Sequence, residues 1–197
     1  MQLKTATLAL AIFSAACASA PQVVQSGDPA PSKKAIQDIP EWIITPPKAT
    51  ADKSYSSGQG DSRDMSIAIN AAEADARNKM SQGLSVQMKS LEDKFQSSVR
   101  GEAGGEEALN TFRQAVRATT DQTLNGTTVA QRKVTMDPSG TTYRVFVLME
   151  GPSSSKVLMD KVKADANLMA RFRASQAFQD LDAELKKNQD NKPPQTP

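Results

Sequence analysis

The chain has 197 residues, with 24 Lys and Arg against 22 Asp and Glu, and its formal charge of +2 exerts no strong global pull on nucleic acid or anionic lipid. Histidine is absent and Cys17 is the single cysteine, which excludes an intramolecular disulfide and histidine-based acid–base or triad chemistry. Structural zinc loses its usual ligands for the same reason, and aromatics at 5% are poor material for stacking on bases or sugars.

Residues 1–16 read as a signal peptide. Lys4 supplies a short basic start, and Thr5 to Ala16 is an uncharged run of Ala, Leu, Ile and Phe. As a helix that run is roughly 18 Å long, too short to span a bilayer, and small residues follow it. Its end has two readings. Ser14-Ala15-Ala16-Cys17 is similar to a bacterial lipobox, except that Ser14 stands where Leu is usual. On this reading the Cys17 thiol takes a diacylglycerol and its new amino end a third acyl chain, such as palmitate. At about 0.8 kcal/mol per buried methylene, several chains make a durable membrane anchor. Ordinary cleavage after Ala18 is the other reading, with a soluble product.

Residues 17–39 form the acylated start and a flexible tether rich in Ala, Ser, Pro and Gln. One domain is expected over 40–185, and a disordered, proline-rich tail over 186–197. Ile39 to Ile44 places the only tryptophan, Trp42, in an extended apolar segment bounded by Pro46-Pro47. Ser54 to Gly60 is a short strand ending in glycines, after which Asp61 or Ser62 caps a helix. That helix, about 62–98, carries Met65, Ile69, Ala72, Ala76, Met80, Leu84, Met88, Leu91 and Phe95 at steps of three or four. Ala68, Ala71, Ala72 and Ala76 permit close approach to a sheet, and Gly83 marks a position for a kink.

Gly101 to Gly105 breaks the pattern, and a second helix follows at about 106–121 with Leu109, Phe112, Ala115 and Val116 inward. The period then changes to two. Thr127–Met136 and Thr141–Glu150 read as strands joined by the turn residues Asp137-Pro138-Ser139-Gly140. Tyr143, Val145, Val147 and Met149 share one face and Phe146 and Leu148 the other, so both faces are candidates for cover. A long last helix is expected over 154–185. The fold class is α+β, a small antiparallel sheet with helices packed on it: strand, two helices, β-hairpin, long C-terminal helix.

This layout and its local phrases resemble the Lpp twenty-kilodalton lipoprotein family of bacteria. The phrases are Pro40-Glu41-Trp42 with Pro46-Pro47, Tyr55 to Gly60, the alanine-rich Ala68 to Arg77, and Tyr143 to Leu148. The resemblance covers roughly 40–150. It implies an outer-membrane or surface lipoprotein, in some members flagellum-associated, with an assembly or surface role and no known reaction.

The residues that invite chemical readings also have plainer ones. Glu73, Asp75, Glu92, Asp93, Glu106 and Glu107 fit a solvated helix face better than an acid–base pair. Met65, Met80 and Met88 fit core filling better than metal ligation. Gly58-Gln59-Gly60 has the outline of a phosphate loop but lacks the third glycine and the lysine. Lys156, Lys161, Lys163, Arg171 and Arg173 fit a solubilising face interspersed with acids. Trp42 is either a partner contact or a plug of the domain's own core. The expectation is therefore a non-enzymatic protein with no catalytic residue, metal or cofactor. Its partners are the membrane, through Cys17, and a second copy or another envelope protein, with no nucleic acid. If Cys17 is acylated, resemblance to other lipoproteins implies the outer membrane, since Ala18 and not Asp follows it. The alternative is a periplasmic or secreted binding module.

Overall fold

The structure is a computed structural model that describes residues 38–191 and residue 193; the leader and Cys17 lie outside the described residues. The elements are α1 (Glu41–Ile44), β1 (Lys53–Ser62), α2 (Met65–Val99), α3 (Gly105–Asn125), β2 (Thr128–Met136), β3 (Tyr143–Pro152), α4 (Ser154–Lys163), α5 (Ala166–Arg173) and α6 (Gln176–Gln189). The strands form one antiparallel sheet in the order β1-β3-β2. The expected α+β class and the β2–β3 hairpin are therefore present.

The sheet forms around β3, whose Val145, Phe146, Val147, Leu148 and Met149 are all buried, so that neither face of the central strand meets water. Val145, Val147 and Met149 pack with Ala68, Ala72, Ala76 and Met80 of α2. Phe146 and Leu148 point to the opposite face, and α1 lies against β1 and β3. β1 meets α2 backbone to backbone. A Cβ on Gly58 would stand 2.3 Å from the Ala76 nitrogen and 2.4 Å from the Ala72 oxygen, and one on Gly60 2.5 Å from the Ala68 oxygen. Glycine on the strand and alanine on the helix are thus two sides of one close contact. The buried Ser56 hydroxyl donates to the Ala76 carbonyl at 2.9 Å across the same seam.

The second half of α2 leaves the sheet and enters a helical core. Leu84, Met88, Leu91, Phe95 and Val99 pack with α3, α4, α5 and α6. Phe95, Phe112 and Phe172 form its centre, with ring centroids 4.7, 5.3 and 5.9 Å apart, and Phe178 meets Phe172 edge-on at 5.7 Å. Around it, Gln87 ties three helices. Its side-chain oxygen accepts from Ser154 Oγ at 3.0 Å, and its nitrogen donates to Glu184 Oε2 at 2.7 Å, while Ser155 Oγ donates to Glu184 Oε1 at 2.9 Å.

Several details depart from expectation. The region 154–185 is three helices, not one long helix. Asp165 and Ser175 adopt extended backbone and accept from the N–H of Leu168 at 2.9 Å and of Phe178 at 3.2 Å. Each is an N-cap, so each starts a new helix and lets the chain turn to bring Phe172 and Leu181 onto one core. α6 runs on to Gln189, through residues expected in the tail, because Asn188 is buried and Asn191 donates to the Ala49 carbonyl at 2.7 Å. The Trp42 segment is a helical turn rather than extended. Pro40 opens it with its carbonyl, and Thr45 N–H closes on Glu41 O at 2.7 Å. The cap of α2 is Asp64, which accepts from the N–H of Ser66 at 2.8 Å and of Ile67 at 3.2 Å, because Asp61 and Ser62 are taken up in β1. α2 continues without interruption through Gly83.

Candidate functional site

Cys17 falls outside the described residues. Trp42 stands on α1, half-buried, and is named in neither of the two apolar clusters; Ile44 beside it is 63% exposed.

The carboxylates considered for acid–base work do not converge. Glu73 pairs with Arg132 of β2, Glu92 with Arg113 of α3 at 2.6 Å, and Asp75 with Lys79 at 2.7 Å. Asp93, Glu106 and Glu107 are exposed, the last two in the first turn of α3, where they complement the helix dipole. Asp75 also accepts the Gln59 backbone N–H at 3.0 Å. Partial burial pushes its carboxyl up, but Lys79 and that amide outweigh burial and hold it below its ordinary 3.8. Two of the five cations of the last region are tied to other elements. Lys156 pairs with Asp52 at 2.5 Å, and Arg171 donates to Glu102 at 3.1 Å and to the Ala103 carbonyl at 2.7 Å, closing the α2–α3 loop. Met80 and Met88 are core residues as expected, whereas Met65 is 48% exposed.

That exposed methionine belongs to a surface the sequence reading missed. β2 is an edge strand whose α2-facing residues include Arg132, Val134 and Met136, opposite Val147, Val145 and Tyr143 of β3. The Arg132–Glu73 ion pair fixes helix against strand. Four helix residues advance about 6 Å and two strand residues about 6.8 Å, so stepping on from that ion pair places Ile69 near the level of Val134 and Met65 near that of Met136. Val134 is 40% and Met136 49% exposed. The result is an apolar ledge at the open side of the sheet, with Ile69 and Tyr143 packed behind it against the buried residues. Its signal in the sequence is the alternation of Arg132, Val134 and Met136, which does not by itself distinguish a covered face from a bare one.

A cleft of about 610 Å³ opens at the other end of the sheet, lined by Thr50, Lys53, Tyr55, Val129 and Glu150 among others. Lys53 and Glu150 pair across it at 2.5 Å. Burial, then the Glu150 carboxylate, pushes the Tyr55 phenol up. Among the described residues no group of three or more Cys, Asp or Glu is placed to hold a metal, and no helix is long and apolar enough to cross a membrane.

No curated protein and no solved structure matches the chain. The profile of one family, LPP20 lipoprotein, matches residues 40–149, from the residue that opens α1 to the last buried residue of the β3 run. With that match covering more than half of its length, the chain belongs to the LPP20 lipoprotein family, a family of bacterial lipoproteins.

Proposed function

We propose that this lipoprotein is a non-enzymatic component of the outer membrane. Acyl chains on Cys17 hold it there, and its domain works by packing against protein neighbours in the envelope. The observation that carries this reading is the contrast between spent polar groups and bare apolar ones. Inside the domain, Ser56, Gln87, Ser154 and Ser155 are committed to joining elements. On its surface, Met65, Val134 and Met136 remain open in one ledge, with Ile44 exposed beside Trp42. Apolar surface of this kind is material for association, not for proton transfer. Family membership supports the lipid anchor. Ala18 after Cys17 supports the outer membrane over the inner, and an assembly role at the flagellum is the finer setting that the family resemblance offers.

The test takes the full chain in its own cells. A palmitate analogue should label the wild type and not Cys17→Ala, and the labelled protein should fractionate with the outer membrane as a complex larger than one chain. Equal absence of label ends the anchor, and a labelled but strictly monomeric protein ends the assembly role.

A further inference from the structure

We propose that the outer face of α2, from Gly83 to Ser97, is where two copies of this chain meet, their helices antiparallel about a two-fold axis at Ser90. The inference rests on the assembly reading above and names the partner.

This face lies opposite the one that Leu84, Met88, Leu91 and Phe95 bury. Gly83, Val86, Ser90, Asp93 and Ser97 are all exposed. They fall at alternating steps of three and four, the spacing that keeps one line of a helix against a neighbouring helix. From Val86 to Ser97 the line is the floor of an open groove of about 640 Å³, bounded on one side by Gln176 at the start of α6. Two residues on it are out of place on a helix face that meets only water. Val86 is 72% exposed. Gly83 stands in the middle of the helix, where glycine is the least favourable residue after proline, yet a Cβ on it would meet nothing within 4 Å. At Gly58 and Gly60 the missing Cβ admits the backbone of α2, whereas at Gly83 the single chain offers no backbone to admit. A second helix lying close supplies one.

The charges say which helix. Lys89 and Asp93 are exposed and carry no ion pair among the described residues, whereas Lys94 beside them is held by Asp180 of α6. Within one helix, a cation four residues before an anion is the weaker order for a pair. Across a two-fold axis the same two residues complement each other. With the axis at Ser90, Gly83 of one copy lies opposite Ser97 of the other, each about 10 Å from the axis. Lys89 of one copy then lies about 3 Å along the helix from Asp93 of the other, within reach of its side chain. Antiparallel helices bring the same flank of each together, so both ion pairs form at once. A parallel pair would set each charge level with its own kind, and an unrelated helix would have to carry both charges at the same spacing. Anchoring in one membrane raises the effective concentration of the copies, so a face of this modest size suffices.

The experiment uses the full chain in the membranes of its own cells. On mild oxidation Ser90→Cys should give a disulfide-linked species of two chains, because a residue on the axis meets its own copy within reach of an S–S bond. The wild type, with Cys17 alone, and Asn110→Cys, exposed on α3, are the comparisons and should give none. In the Ser90→Cys background, Lys89→Asp and Asp93→Lys should each lower the yield of that species by about tenfold, and the two together should restore most of it. Gly83→Leu should lower it similarly while leaving the urea midpoint of the chain near the wild-type value, since the single chain has room for the side chain. Equal yields from Ser90→Cys and Asn110→Cys, a Ser90→Cys bond only to a different protein, or no loss with Lys89→Asp would each overturn the proposal. Complexes that an amine-reactive crosslinker holds together but that never link through Ser90→Cys sink this proposal alone, whereas a chain that forms no complex by either route sinks the assembly reading with it.

Discussion

The two halves of α2 are buried by opposite means. From Ala68 to Ala76 the helix offers almost no side chain, and β1 answers with glycine, so two backbones touch. From Leu84 to Val99 it offers large side chains, and Phe112 and Phe172 fill the space between helices. The same 35-residue helix therefore has one half that tolerates no added atom and another that tolerates no lost one.

The comparison is sharpest at Gly58. Gly58→Ala puts a methyl group 2.3 Å from a backbone nitrogen, with no flexible side chain to yield. The expected loss is about 4 kcal/mol or more, read by urea unfolding; a wild-type midpoint would show that β1 does not lie on α2 as described. In the helical half the harmful change is deletion. Phe172→Ala should cost about 3–5 kcal/mol, with Phe172→Leu intermediate, because the vacated volume is lined by Phe95, Phe112 and Phe178. Should both variants prove equally mild, the aromatic cluster is not the keystone of that half.

Ser56→Ala removes one hydroxyl from the seam and should lose about 1 kcal/mol, since the Ala76 carbonyl keeps other company within the helix. The Asp75 carboxylate spans the same seam. Its folded pKa lies below the ordinary 3.8, so the unfolded chain binds the proton more readily, and the stabilisation is present above that value and lost as pH falls through the folded pKa. Acid titration of Asp75→Asn should therefore show a shallower loss of stability below the ordinary value than the wild type, and identical slopes would remove Asp75 from the account. Smallest, and opposite in sign, Gly83→Ala meets nothing within 4 Å and should stabilise the exposed middle of α2 by about 0.5–1 kcal/mol.

Much of this was legible before any coordinates. The stripe from Ala72 to Phe95 marked the buried face of α2, the alanines marked the close seam, and Asp137 to Gly140 marked the hairpin, whose Asp137 carboxylate accepts the N–H of Thr141 at 2.8 Å and of Thr142 at 3.0 Å. Ser54 to Gly60 was legible as a strand ending in glycines, but not that Gly58 and Gly60 are the points at which the strand backbone meets Ala68, Ala72 and Ala76 of α2. The breaks at Asp165 and Ser175 were missed because an apolar stripe can be continued through a cap without losing its period, and only the docking of Phe172 shows that the chain must turn there.

The candidate surface divides in the same way. Composition and the leader pattern pointed to an exported lipoprotein, and family membership agrees. Local periodicity set which residues of β2 share a face and which residues of α2 form its apolar stripe, because those depend only on the geometry of a strand or a helix. Strand order in the sheet, and with it which edge α2 overlaps and which it leaves bare, depends on contacts between residues far apart in the chain. Met65 read as an interior residue on its helix; it is the end of the sheet at β2, with no described element beyond it, that leaves it and Met136 facing solvent.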